Sequence, residues 1–329
     1  MYEGTLSRPM SDDADRGQLL VIVGLIIAVS FIGLAVALNA AIFTENLSTR
    51  ESVDAEEAAA YSADVEPAIG DAYDETNDGS AATAADARGK FGALLGEWET
   101  AREREAAREG ADFGLNRAAH VGWRLEQDAN RSFAPANDDT ATDWTVADGV
   151  RNISAFELSV DRAKLYDGAD ASAFRLNVSN ETTHWELYVY QDSAGEINVS
   201  EGDPTDPSSE NCSLTADRAV IDLRNETLAG GDCSALNFSS AVSGPLVVRY
   251  ENVQNGGSER VNGTYRVVVN GSDAVATDGN DEPKRFNASG ASAPTATAVV
   301  YAVSYDTHYR RNDVVHDRAG RYAPRAEAY

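Results

Sequence analysis

The chain has 329 residues, and its 54 Asp and Glu against 27 Lys and Arg give a formal charge of −27 and a pI near 4.4. That balance excludes a nucleic acid or other polyanion as partner, since binding phosphate needs a basic patch and the arginines are not gathered into one. Setting aside an apolar segment and the helices after it, roughly 200 residues remain, enough for a head with a real hydrophobic core rather than a stapled miniature scaffold.

Residues 1–17, MYEGTLSRPMSDDADRG, form a short polar leader with Arg8 and Arg16 as its only cations. The stretch that follows, residues 18–43, carries no charge, is long enough to span a bilayer, and is too long for an ordinary cleaved secretory core. The lipid bilayer is therefore the first expected partner. Acidic residues dominate beyond it (Glu45, Glu51, Asp54, Glu56, Glu57), so the arginine bias places the N-terminus on the cytoplasmic side and the remainder outside. Residues 44–66 contain neither Pro nor Gly and continue the helix outward as a stalk.

Residues 67–133 read as a hinge and a short helical region. Pro67, Gly70, Asp71, Asp74, Asn77 and Gly79 predict a loop over 67–85, and its aspartates lack the Gly and Glu spacing of a calcium-binding EF-hand. From Asp86 to Asp128 the helical period returns, with Phe91, Leu94, Leu95 and Trp98 on one face; Gly110 and Gly114 divide it into two helices.

Residues 134–329 change to period two. Phe156, Leu158 and Val160; Phe174, Leu176 and Val178; and Trp185, Leu187 and Val189 alternate with polar neighbours, as half-buried strands do. Asp192 to Gly195 and Asn255 to Gly257 read as hairpin turns. In the last apolar run Val299, Tyr301, Val303 and Tyr305 are expected on one face. Cys212 and Cys233 are expected to form a disulfide, with two free thiols the alternative. The predicted fold is α+β: a long N-terminal transmembrane and stalk helix, a short helical region, and a mostly antiparallel head resembling a β-sandwich.

The strongest chemical pattern is N-x-S/T, which occurs at Asn46, Asn130, Asn152, Asn177, Asn180, Asn198, Asn211, Asn225, Asn237, Asn262, Asn270 and Asn287. All lie after the apolar segment, where about three would occur by chance, so they are candidate N-glycosylation sites. His120, His184, His308 and His316 form no metal-binding pair, and no nucleophile elbow, Walker loop or dinucleotide fingerprint is present. No catalytic residue, metal or cofactor is assigned, and an enzyme is not expected.

Only Lys90, Lys164 and Lys284 are lysines among the 27 basic residues, an acidic, arginine-biased composition that resembles proteins of extremely halophilic archaea. The junction Arg16-Gly17-Gln18 before an uninterrupted apolar helix resembles the class III signal sequences of archaeal type IV pilins. That resemblance implies cleavage after Gly17 by a prepilin-peptidase-like enzyme, with the helix retained. Ser30, Gly33, Ala37 and Ala41 step along one helix face and Gly24 and Ala28 along another, small residues that let sister helices approach closely. Ile22 stands at the fifth position after the cut, where bacterial pilins carry Glu. With the Cys212 to Cys233 segment and the FNASGASAPTATAVVYAVSYDTHY stretch, the chain is similar to a family of haloarchaeal membrane-anchored surface proteins. The expected function is a non-catalytic minor pilin or pseudopilin-like subunit partnered by other such subunits. The alternative is a single-pass surface binding or adhesion protein that is neither processed nor polymerised.

Overall fold

The computed structural model describes residues 12–206, 208–237, 242, 244–254, 259–270, 285–288, 291–312 and 314–323, the side chains of 12–19 and 45–54 excepted. It is α+β, with three helices preceding a β-rich, mostly antiparallel head. Helix α1 (Asp12–Ala63) runs for 52 residues, about 78 Å at 1.5 Å per residue.

A single non-helical position, Asp64, separates α1 from α2 (Val65–Asn77), so the loop expected over 67–85 is corrected to the non-helical residues 78–83. Pro67 falls in the first turn of α2, where a missing N–H costs no helical bond. Gly70 is there for packing: a Cβ would sit 2.9 Å from the Tyr322 hydroxyl oxygen. Helix α3 (Ala84–Arg108) starts with a reciprocal Thr83–Asp86 capping box. It stops at Gly110, whose φ of +74° suits glycine, while the Gly110 and Ala111 amides return to the carbonyls of Ala107 and Ala106.

The second helix expected before Asp128 is instead strand β1 (Asp112–Ser132), so the head begins at 112 rather than 134. Its residues favour helix locally, but Phe113, Leu115, Val121, Trp123 and Leu125 all bury on one face, and both its edges are hydrogen-bonded. Tertiary pairing overrides the propensity.

The remaining strands are β2 (Trp144–Val150), β3 (Ile153–Asp161), β4 (Phe174–Ser179), β5 (His184–Gln191), β6 (Ile197–Glu201), β7 (Asn211–Leu214), β8 (Arg218–Asp222), β9 (Thr227–Leu228), β10 (Gly231–Asp232), β11 (Leu246–Glu251), β12 (Asn262–Asn270), β13 (Asn287–Ala288), β14 (Thr295–Arg311) and β15 (Val314–Tyr322). They form a nine-stranded sheet ordered β10-β9-β8-β3-β12-β1-β14-β13, with β15 also on β14, and a six-stranded sheet ordered β2-β11-β4-β5-β6-β7. The Asp192 to Gly195 turn joins β5 to β6 as expected, with Gln191 opposite Ile197. At the other expected hairpin, Gln254 and Arg260 form an antiparallel bridge and the Val261 N–H donates to the Val253 carbonyl at 2.9 Å, while β11 and β12 on either side belong to different sheets. Residues 255–258 themselves lie outside the described residues.

One buried cluster draws on both sheets, with Trp123, Phe156 and Tyr265 from the larger and Phe174, Leu187 and Tyr250 from the smaller. A second lies farther along the same odd-numbered face of β1, where Phe113 and Leu115 meet Ala58, Val65 and Ile69 of the helices and Phe91 and Leu95 of α3. The six-stranded sheet and the helices therefore cover adjoining parts of one face. Strand β14 crosses both regions through a bulge opposite His120 and Val121, so Val300, Val303, Tyr305 and Tyr309 join the helical cluster while Val299 and Tyr301 turn to the other face. The expected single face for Val299 through Tyr305 is thus corrected, since one extra residue reverses the alternation.

Candidate functional site: the apolar helix and its seat in the head

From Leu20 to Thr44, 25 residues of α1 are long and apolar enough to cross a membrane, as a retained anchor or as a signal sequence. Every one of them is exposed, and the segment is apolar all round, the character of a helix solvated by lipid or by other helices. Gly24, Ala28, Ser30, Gly33, Ala37 and Ala41 all belong to it. Added Cβ atoms at Gly24 and Gly33 would meet nothing within 4 Å, and the Ser30 hydroxyl donates to the Ile26 carbonyl at 2.8 Å, satisfied within its own helix. Arg16, Gly17 and Gln18 are helical in backbone, and their side chains lie outside the description.

The distal end of α1 is bolted to the head. Ala58, Tyr61, Val65, Ile69 and Ala72 form an apolar stripe at helical spacing that continues through Asp64 into α2 and buries against β1, β14 and α3. Fully burying one side chain of this size contributes roughly 1.5–3 kcal/mol. Polar contacts frame the stripe: Glu57 pairs with Arg311, Asp64 with Arg102, and Glu66 with Arg318 at 2.6 Å. The Arg102 guanidinium lies over the Tyr61 ring, 5.7 Å from its centroid. Tyr61 donates to Glu109 at 3.0 Å and Tyr305 to Glu66 at 2.5 Å. Burial, and then the Glu66 carboxylate, push the Tyr305 phenol up to about 12; burial is also the main cause raising Tyr61 and Tyr309.

The C-terminus of α2 completes the seat. Among the described residues on the edge of β14, β13 pairs at Thr295 and Ala296 and β15 from Val303 onward. The Asn77 amide fills the gap, donating to the Val300 carbonyl at 2.9 Å and accepting its N–H at 2.8 Å, and Ala298 bonds the Ala81 carbonyl at 2.9 Å. Arg124 donates to the Asn77 carbonyl at 2.7 Å, opposing the helix dipole as a cation does at a C-terminus. Sequence reasoning missed this seat, although the spacing of Ala58, Tyr61, Val65, Ile69 and Ala72 carries it.

Cys212 and Cys233 form the expected disulfide. It ties β7, an edge of the smaller sheet, to the residue following β10, an edge of the larger one, so it staples the two sheets.

Of the sequon asparagines, Asn46 falls outside the described side chains. Asn130, Asn211 and Asn225 are exposed, and Asn152, Asn177, Asn180, Asn198, Asn237, Asn262, Asn270 and Asn287 are half-buried. Several side-chain amides are engaged within the protein: Asn130 donates to Asp161 and Asn225 to Asp222, both at 2.6 Å. Asn177 donates to Glu186 at 3.2 Å, Asn198 to the Glu196 carbonyl at 3.2 Å and Asn287 to the Ser292 carbonyl at 2.6 Å.

His120, expected on a helix, lies on β1 and meets Ser304 at 2.9 Å, and His308 meets Asp317 at 2.6 Å across β14 and β15. Among the described residues no group of three or more His, Cys, Asp or Glu is placed to hold a metal ion.

Residues 13–150 match a family of unknown function, DUF7261. That stretch runs from α1 through β2 and so takes in the apolar helix, α2, α3 and β1, but not the β14 and β15 side of the seat. No curated protein and no solved structure matches the chain.

Proposed function

We propose that this chain is a membrane-anchored, non-catalytic surface protein of type IV pilin-like kind, a minor pilin or pseudopilin-like subunit that presents a β-sandwich-like head outside the cell. The observation that carries the reading is the unbroken course of α1 from a wholly exposed apolar segment into a buried seat on the head. A helix so built can bundle with sister helices at one end while fixing the head at the other. The small residues of its apolar segment support close helix approach. On this reading Arg16, Gly17 and Gln18 form the site of a prepilin-peptidase-like enzyme, and the acidic surface and unburied sequon asparagines suit a glycosylated protein of a halophilic archaeon. The disulfide supports an extracellular head.

Intact-mass and N-terminal peptide measurement of the protein from native membranes tests the reading. Pilin-like processing gives an N-terminus at Gln18. Molecules that all retain residues before Gly17 overturn processing and leave the single-pass anchored binding protein, a reading favoured by Ile22, which offers no charge for locking neighbouring subunits together.

A further inference from the structure

Between the exposed side of α2 and the face of the nine-stranded sheet turned away from the core lies a cavity of about 360 Å³. Among its lining residues, Asp74 and Asp78 stand on the helix wall, Arg124 and Arg266 on the sheet floor, and Val268 and Val299 beneath. We infer that this cavity is a binding site for a small zwitterion of amino-acid type, whose ammonium faces Asp74 and Asp78 and whose carboxylate faces Arg124 and Arg266.

The charges are segregated as such a ligand requires. Asp74 and Asp78 are four residues apart, so they share one helix face, and neither makes a salt bridge or a side-chain hydrogen bond among the described residues. On the floor the two guanidiniums share one carboxylate, Glu126, at 3.2 Å from Arg124 and 3.7 Å from Arg266. Glu126, and Glu157 opposite Arg266 on β3, lie outside the cavity's lining, in which the two guanidiniums are the cationic groups.

The floor also holds an unanswered polar group. Ser154, only 4% exposed, lines the cavity and makes no side-chain hydrogen bond among the described residues. Its hydroxyl is open to the cavity, and a bound carboxylate would accept from it. The walls are held before any ligand arrives, because the Asn77 amide clamps α2 to Val300 and Arg124 caps the Asn77 carbonyl. The volume lies at the small end of ligand pockets, which run from roughly 300 to 1,000 Å³, and suits a single amino acid rather than a chain of them.

The test is calorimetric titration and thermal-shift measurement of the full chain in detergent micelles with each standard amino acid, and with glucose as a neutral polyhydroxylated control. At least one amino acid should bind with a Kd of about 1 mM or tighter, and glucose should not. Asp74→Asn and Asp78→Asn change exposed side chains and leave the fold intact, as the ligand-free melting temperature checks. Each should weaken binding about fivefold to tenfold, and Ser154→Ala by a similar factor. No binding by any amino acid, equal binding of glucose, or affinities unmoved by the aspartate variants would overturn the assignment. Its outcome is independent of the N-terminus found for the anchoring reading.

Discussion

Single atoms decide several features of this protein. The Tyr250 hydroxyl is fully buried among Phe133, Trp144, Phe174 and Tyr265 and has no hydrogen-bond partner among the described residues, and burial holds its phenol well above the ordinary range. Removing an unsatisfied buried hydroxyl while keeping the ring is neutral or favourable. Tyr250→Phe should therefore leave stability unchanged or raise it by up to about 1 kcal/mol in urea unfolding. The reverse holds for Asn77, whose amide satisfies two backbone groups of Val300; Asn77→Ala should cost about 1–3 kcal/mol. At Gly263 a Cβ would fall 1.7 Å from the Ser159 carbonyl oxygen. Gly263→Ala has to push β12 away from β3 and should cost about 3 kcal/mol or more.

Titration acts on the same scale. The raised phenol of Tyr305 means that the folded state binds this proton more tightly than the unfolded chain, whose tyrosines titrate near 10. Its contribution to stability is fully present below about pH 10 and is lost as the pH rises toward 12, when a phenolate would face the Glu66 carboxylate. Spectrophotometric titration at tyrosinate wavelengths, run alongside circular dichroism, should show α1 and α2 loosening from the sheet in that window. Tyr305→Phe should blunt the change.

Elements were legible in the sequence where one local pattern governed them. The unbroken apolar run announced α1, and strict alternation announced β4 and β5, whose buried rows are Phe174, Leu176 and Val178 and Trp185, Leu187 and Val189. Pattern failed where distant partners decide. The residues of β1 suit a helix, and only pairing with β12 and β14 draws them out. Pro67 and Gly70 look like loop punctuation, yet one occupies a permissive first turn and the other makes room for Tyr322. The bulge in β14 has no marker in a sequence of Ala, Val and Tyr, so its reversal of faces was not foreseeable. The candidate cavity was equally hidden, since its residues come from six separate elements. The disulfide is the element-scale feature best read in advance, and by loop-closure reasoning reduction, or Cys212→Ser with Cys233→Ser, should cost about 3 kcal/mol. Because the bond joins two sheets, its loss should raise amide exchange first in β7 and β10, where mass spectrometry can follow it.

At the scale of the molecule, the proposed anchor and the head are two ends of one helix, and the seat of Ala58, Tyr61 and Val65 leaves no swivel between them. Only residues 45–56 separate the apolar span from Glu57 and Ala58, the first docked positions, and they too are helical. Each residue in that interval advances the helix by about 1.5 Å and turns it by about 100°. The number of residues therefore acts as a gear setting: it fixes which flank of the head each neighbour in a bundle would meet. Deleting one residue would swing the head about a quarter turn round the membrane normal, while deleting seven would bring it back to within about 20° of its starting azimuth and some 10 Å nearer the lipid.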